Sequence, residues 1–162
     1  MGFKEMTTEI ILSPNEMYVS AIVGLRRQLS SKVYGHKNTY GSERNDIAKQ
    51  WYINVMGAQG EMAGAKALGL YWPASVNAPK SDPDIWPDWQ IRTRTNTNNV
   101  ELIVRDDDID EHKYLLVSGT GPEFLIHGWI KGKDAKRKEW YADKGGRNSP
   151  CFWVPPSKLT AI

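Results

Sequence analysis

Cysteine, long hydrophobic runs and any large net charge are all scarce in this sequence of 162 residues. The single cysteine, Cys151, excludes a disulfide framework and every zinc motif that needs two cysteines. The apolar runs are short and interrupted, so no membrane-spanning helix is predicted. A formal net charge of +2 is too small to indicate nucleic-acid binding by itself, so any basic surface must be local. We therefore expect a cytoplasmic protein.

The sequence does have the composition of an ordinary globular protein. Hydrophobic residues make up 40% of it and charged residues 25%, which gives no sign of disorder. The length is enough for one domain with a core and too short for two. We predict a single domain over residues 1–162, with helices at about 14–68 and a sheet-rich part at about 88–155.

A first helix is predicted to begin at Ser13-Pro14-Asn15-Glu16. These residues supply a serine cap, a proline at the first helical position and a glutamate three residues after the cap. Apolar residues follow with a helical period: Met17, Ala21, Ile22, Leu25 and Leu29. Arg26 and Arg27 lie on the flank of this stripe, where we expect solvated side chains rather than phosphate contacts.

A second helix is predicted from about Asn45 to Leu68, with Gly69 as its C-terminal cap. Its second half carries a stripe of small residues: Gly57, Gly60, Ala63, Gly64 and Ala67. Glycine inside a helix costs roughly 1 kcal/mol relative to alanine, so the stripe predicts close approach of another backbone, with Glu61 beside it. The polar loop Tyr34–Arg44 between the helices is either a flap over a ligand or a simple connector.

Strands are predicted in the second half of the chain, at Trp89–Thr95, Val100–Arg105, Lys113–Ser118, Glu123–Lys131 and Ser149–Val154. A charged helical turn is predicted at Asp134–Tyr141. The short connections favour antiparallel neighbours. The predicted class is therefore α/β (α+β), with a mixed, largely antiparallel central sheet flanked by helices.

The strand at Trp89–Thr95 has an unusually polar face. Side chains alternate along a strand, so one side carries Asp88, Gln90, Arg92 and Arg94. A carboxylate, an amide and two guanidinium groups then stand in one row. A carboxylate on a helix facing such a row is a common arrangement for metal-dependent phosphodiester chemistry.

The order of these motifs resembles the PD-(D/E)XK nuclease superfamily, which has the restriction-endonuclease-like fold, and in particular its small phage-encoded members. The motifs are Gly60-Glu61 on a helix, then Asp88, then Gln90-Ile91-Arg92 on a strand. Further similar segments are Leu102–Asp106, Tyr114–Val117 and His127–Ile130. The resemblance covers about residues 45–155.

The resemblance implies a DNA-binding, magnesium-dependent phosphodiesterase, an endo- or exonuclease, in the host cytoplasm if the protein is phage-encoded. Mg²⁺ or Mn²⁺ would be bound by Glu61, Asp88 and the main-chain carbonyl of Ile91. The catalytic set would be Glu61, Asp88, Gln90 and Arg92. The two carboxylates are expected within about 6 Å of each other.

Two residues depart from the superfamily pattern. Gln90 replaces an acidic residue with a neutral amide, and Arg92 replaces a lysine with a side chain that does not give up its proton. The alternative is therefore a catalytically inactive protein of phage origin that uses the same scaffold to bind or inhibit a partner, either nucleic acid or a host or phage protein. A third possibility is a structural phage component with no site.

The residues expected to contact nucleic acid are Arg92, Arg94, Lys133, Lys136 and Arg137. The last three belong to the densest basic cluster of the chain, residues 131–138, which is otherwise a solvated helix face. The acidic run Asp106-Asp107-Asp108 departs from a calcium-binding loop, so we predict a solvated turn.

Overall fold

The computed structural model describes residues 7–33, 46–146 and 148–162, and the predicted loop Tyr34–Arg44 lies outside them. The helices are α1 (Pro14–Val33), α2 (Ile47–Leu68) and the short α3 (Gly132–Ala135). The strands are β1 (Thr8–Ile11), β2 (Trp89–Arg94), β3 (Leu102–Val104), β4 (Lys113–Gly119), β5 (Glu123–Lys131), β6 (Tyr141–Ala142) and β7 (Cys151–Val154). The helical turn predicted at Asp134–Tyr141 is instead α3 followed by a 3₁₀ turn at Lys138–Trp140.

These strands form two sheets. The larger has the order β1-β5-β4-β2, and the smaller has the order β3-β7-β6. In the larger sheet β5 pairs antiparallel with β1 and β4, whereas β2 pairs parallel with β4. The fold is therefore mixed α/β with a mostly antiparallel four-stranded sheet flanked by helices, as predicted.

The expectation of antiparallel neighbours is wrong for β2 and β3. Leu102 and Val104 of β3 are fully buried in a second core, which lies on the face of the large sheet opposite α2. There β3 pairs with β7. The chain therefore leaves the large sheet after β2 and returns to it as β4. Because β3 runs the intervening length in the other layer, β2 and β4 are parallel.

Helix α1 begins as predicted but turns an unexpected face inward. The Ser13 amide donates to Glu16 Oε2 at 2.7 Å and the Glu16 amide donates to Ser13 Oγ at 3.2 Å, which confirms the capping box. The predicted apolar stripe lies largely outside the core, with Ile22, Leu25 and Leu29 exposed.

The inward face of α1 is instead largely small and polar: Ser20 and Gln28 are fully buried, and Val23 is buried in the core beside them. The reason is the close approach of α2: a Cβ atom at Gly24 would lie 2.5 Å from Val55 Cα. Gln28 then satisfies its amide by hydrogen bonds to Gln50 and Asn54 of α2, at 3.1 and 2.7 Å. The face of α1 with Gly24 and Gln28, and not the predicted apolar stripe, therefore meets α2.

Helix α2 packs against β2 through Gly60 and Gly64 of the predicted stripe, whereas a Cβ atom at Gly57 would meet nothing within 4 Å. A Cβ atom at Gly60 would lie 2.8 Å from Thr93 Cβ, and one at Gly64 would lie 3.0 Å from Ile91 Cδ1. One face of β2 therefore meets α2, and the other meets the small sheet. Since β2 is the last strand of its sheet, side chains from both faces can meet around its free edge.

The helices in the described part of the chain do not have the combined length and apolar character of a membrane span.

Candidate functional site

A polar cavity of about 260 Å³ lies at the free edge of β2. Its walls come from α1, α2, the segment before β2, β2 itself, the loop before β4, and β4. The acidic residues that line it are Glu61, Asp82, Asp84, Asp107 and Asp108, and the basic ones are Arg27, Lys80 and Arg92. Gln90, His112 and Tyr114 also line it. Charges of both signs are therefore concentrated in one small volume.

Glu61 is fixed at the helix side of the cavity. Arg27 donates to Glu61 Oε1 and Oε2 through its two terminal nitrogens, at 2.6 and 2.8 Å, and the Trp72 indole donates to Oε2 at 3.0 Å. Arg27 also donates from Nε to the Ser75 carbonyl at 2.8 Å. Burial alone would lower the pKa of Arg27, but the hydrogen bonds and negative charge of Glu61 raise it. The expectation that Arg27 is a solvated surface residue is therefore wrong.

Asp84 supplies the second carboxylate of the cavity. Its Oδ2 accepts the Ile91 amide at 2.7 Å, so the carboxylate occupies the free edge of β2. Main-chain hydrogen bonds of 3.1 and 3.0 Å between Ile85 and Trp89 close the turn that brings it there. Burial raises the pKa of the Asp84 carboxyl to about 7, and the negative charge of Glu61 adds to the rise. The two carboxylates therefore interact electrostatically.

Asp88, the expected partner of Glu61, does not line the cavity. Its carboxylate pairs with Lys113, whose Nζ lies 3.2 Å from Oδ1 and 3.1 Å from Oδ2. Lys113 also sits over the Trp89 ring, 5.0 Å from its centroid. The tight turn before β2 is the physical reason, because it folds the earlier carboxylate, Asp84, back beside Ile91. Asp84, and not Asp88, therefore lines the cavity together with Glu61.

The other two predicted catalytic residues do line the cavity, on the face of β2 opposite α2. Gln90 donates to the Asp82 carbonyl at 2.9 Å, and its Nε2 lies 3.4 Å from His112 Nδ1. Arg92 donates through one terminal nitrogen to both oxygens of Asp108, each at 2.8 Å. Its guanidinium also lies over the Tyr114 ring, 5.1 Å from the centroid. Arg92 is therefore fixed between the two sheets.

Asp108 is consequently no part of a solvated turn. Its side chain is only 7% exposed, and besides Arg92 it accepts the main-chain amide of Arg105 at 2.8 Å. Lys136 reinforces the same loop by donating to the carbonyls of Asp106 and Asp108, at 3.0 and 2.6 Å. The acidic loop is thus neutralised from both sides by the chain's own cations.

The remaining residues expected to contact nucleic acid lie outside the cavity wall. Arg94 lies over the Trp153 ring, 5.8 Å from its centroid, and Arg137 lies over Trp140 at 5.0 Å. Lys133 is exposed, and Lys136 also pairs with Asp110 at 2.6 Å. The structure therefore brings together Glu61, Gln90 and Arg92 but not the basic cluster of residues 131–138.

Sequence reasoning missed several residues of the cavity. Asp84 had a signal, because Pro83-Asp84 repeats the Pro87-Asp88 dipeptide in front of the same strand. Arg27 is 34 positions from Glu61, so no local pattern could connect them. Asp108 was one of three adjacent aspartates with nothing to distinguish it.

The cavity has the donors for a cation but no preformed cage. Among the described residues, no group of three or more His, Cys, Asp or Glu side chains could hold a metal ion. Glu61 and Asp84 offer carboxylate oxygens, which Mg²⁺ prefers together with main-chain oxygens and water.

Comparisons with known proteins find no family model, no curated protein and no solved structure that matches this chain. Any function of the cavity must therefore be inferred from its own side chains.

Proposed function

We propose that the protein is a DNA-binding protein of nuclease fold whose cavity hydrolyses phosphodiester bonds with Mg²⁺ or Mn²⁺. The observation that supports this most is that Glu61 of α2 and Asp84 at the edge of β2 line the same cavity as Gln90 and Arg92. The raised pKa of Asp84 has the Glu61 charge among its causes, as expected of two carboxylates that await a shared cation.

The residues present fit such a cation. Among the described residues, only Arg27 donates a hydrogen bond to Glu61 Oε1, and a carboxylate oxygen has room for a second partner. The carbonyl of Ile91 points to the same edge as its amide, because the N–H and C=O of one strand residue share a side. Glu61, Asp84 and Ile91 would thus hold the cation. A bound Mg²⁺ would lower the pKa of a water and offset charge on a phosphate.

Arg92 is the residue best placed to bind the phosphate. Its Nη2 pairs with Asp108 and its Nε donates to the Ile103 carbonyl at 3.3 Å, whereas its Nη1 makes no hydrogen bond to a described residue. A guanidinium suits a phosphate oxygen because its planar donors are directed and permanently charged. Arg92 cannot act as a base, so its role would be electrostatic stabilisation.

Cleavage of labelled DNA with Mg²⁺, with Mn²⁺ and with a chelator tests the proposal, using two matched variants. Asp84→Asn should abolish cleavage because it removes a charged ligand without changing size. Asp88→Asn, four residues away and outside the cavity, should leave cleavage unchanged. Equal loss in both variants, or activity that persists in chelator or in Asp84→Asn, would contradict the proposal.

A second candidate is a catalytically inactive binding or inhibitor protein. Both cavity arginines are paired with carboxylates, Arg27 with Glu61 and Arg92 with Asp108, which reduces the charge that a metal and a phosphate would meet. This candidate predicts that the wild type binds DNA without cleaving it. It further predicts that Gln90→Glu combined with Arg92→Lys, which rebuilds the superfamily's Glu-x-Lys face, gains no cleavage. Absence of DNA binding in both proteins would instead favour a structural component.

A further inference from the structure

Two strongly exposed aromatic side chains, Tyr71 and Trp86, lie close in sequence to residues of the cavity. Among the described residues, the three most exposed aromatic side chains are Tyr71 at 86%, Tyr18 at 69% and Trp86 at 63%. Tyr18 lies on the outer face of α1, nine residues and so about 13 Å along the helix from Arg27. Tyr71 and Trp86 belong to the segment that forms the cavity wall between α2 and β2.

Tyr71 and Trp86 are each close in sequence to a residue connected with Glu61 or Asp84, the two carboxylates proposed to bind the cation. Tyr71 directly precedes Trp72, whose indole donates to Glu61. Trp86 follows Asp84 by two residues, so their Cα atoms lie within about 8 Å of each other. Both rings are therefore attached to backbone within two residues of a side chain that lines the cavity or contacts Glu61.

The backbone that presents the rings is well anchored. Trp86 stands on the turn closed by the hydrogen bonds between Ile85 and Trp89, and Ile85 is fully buried. The amide of Leu70, just before Tyr71, donates to the Ala65 carbonyl at 3.0 Å, and Trp72 is buried on the other side. Neither ring makes a hydrogen bond or a ring contact with another described residue. Each ring is therefore largely exposed to solvent, and hydrogen bonds hold the backbone that carries it.

Charge alone gives the cavity little attraction for a DNA backbone. Its lining has the acidic residues Glu61, Asp82, Asp84, Asp107 and Asp108 against the cations Arg27, Lys80 and Arg92. Base stacking on aromatic rings is the other general source of affinity for nucleic acid, at about 1–3 kcal/mol per base. It requires bases that are not already stacked and paired in a duplex.

We infer that Tyr71 and Trp86 stack on unpaired bases beside the scissile phosphate, so that the substrate is single-stranded or frayed DNA rather than an intact duplex. This inference rests on the proposed function and names its substrate class. The occupant is a nucleobase because both rings are exposed and aromatic, and because each lies within two residues of Asp84 or of Trp72, the partner of Glu61.

Fluorescence anisotropy in chelator, where no cleavage occurs, tests the inference with three labelled ligands. These are a single strand of mixed sequence, an abasic strand of the same length, and the corresponding duplex. The wild type should bind the base-carrying strand most tightly. Trp86→Ala and Tyr71→Ala should each weaken that binding by about 5- to 140-fold, as expected for one stacked base, and leave binding of the abasic strand unchanged. Trp86→Phe should retain most of the affinity.

Tyr18→Ala removes a ring of similar exposure far from the cavity and should change none of the three affinities. Three results would overturn the inference: equal binding of the abasic and base-carrying strands, a preference for the duplex, or unchanged affinity for the base-carrying strand in both Trp86→Ala and Tyr71→Ala. If those results accompany Mg²⁺-dependent cleavage that Asp84→Asn abolishes, the substrate class alone is wrong. If none of the three ligands binds and no cleavage occurs, the proposed function fails together with the inference.

Discussion

Asp84 is the residue of the site whose pKa is shifted most clearly by its surroundings. Its carboxyl is buried next to Glu61, and the bidentate hydrogen bond from Arg27 goes to Glu61 rather than to Asp84. Asp84 receives instead a main-chain amide, which opposes the rise of its pKa without cancelling it. The resulting pKa of about 7 means that the carboxyl ionises near neutral pH.

This shift predicts a specific pH dependence of stability. The folded pKa of Asp84, about 7, exceeds its ordinary value of 3.8, so the folded protein binds the proton more tightly than the unfolded chain does. The stability from this proton is fully present below about pH 4 and is lost as the pH rises through about 7. Asp84→Asn cannot ionise, so it should be less affected by this rise in pH and more stable than the wild type at pH 8.

Urea denaturation of both proteins from pH 4 to pH 8 measures the effect. The free energy of unfolding of Asp84→Asn, relative to the wild type, should increase across this range by a few kcal/mol at most, since each unit of pKa shift corresponds to about 1.4 kcal/mol. If the difference in unfolding free energy between the two proteins stays constant with pH, or if the variant is less stable at pH 8, folding does not raise the pKa of Asp84.

At the scale of elements, the close packing of α2 on β2 sets the distance between the two carboxylates. Glu61 belongs to α2, and the Asp84 carboxylate is hydrogen-bonded to the Ile91 amide of β2. The distance between the two carboxylates therefore depends on how near the helix backbone lies to β2. Gly60, adjacent to Glu61, has its Cα against Thr93 with no room for a Cβ atom. Helix α1 contributes in the same way, because its polar inward face is what directs Arg27 to Glu61.

Two glycines of α2 provide a matched test of this packing. In Gly60→Ala the new methyl would lie 2.8 Å from Thr93 Cβ and closer still to its γ atoms, so the helix must move away from β2. In Gly57→Ala the methyl meets nothing within 4 Å. We expect Gly60→Ala to destabilise the fold by about 1–3 kcal/mol, and Gly57→Ala to stabilise it by up to about 1 kcal/mol.

Thermal and urea unfolding of the two variants measure these changes. Equal effects of the two substitutions, or a Gly60→Ala variant as stable as the wild type, would contradict the close helix–strand contact.

At the scale of the whole molecule, the site exists because distant segments meet at one sheet edge. The sequence predicted what depends on local pattern: the capping box at Ser13, the C-terminal cap of α2 at Gly69, and the alternating faces of β2. It could not predict that β2 and β4 are parallel, because that depends on β3 joining another sheet. Nor could it predict that Arg27 turns inward, because the apolar stripe of α1 masks the packing that Gly24 permits.

The candidate site divides in the same way. Glu61, Gln90 and Arg92 were accessible from short motifs. The choice between Asp84 and Asp88 was not, because both follow a proline ahead of β2 and only the fold of the intervening turn separates them.

The most direct test of the central claim is calorimetric titration of the protein with Mn²⁺ at pH 8, where Asp84 is ionised. We predict one binding site in the wild type, an affinity at least about tenfold weaker in Asp84→Asn, and no change in Asp88→Asn. Absence of Mn²⁺ binding by the wild type, or the same affinity in Asp84→Asn as in the wild type, would contradict a metal site built on Glu61 and Asp84.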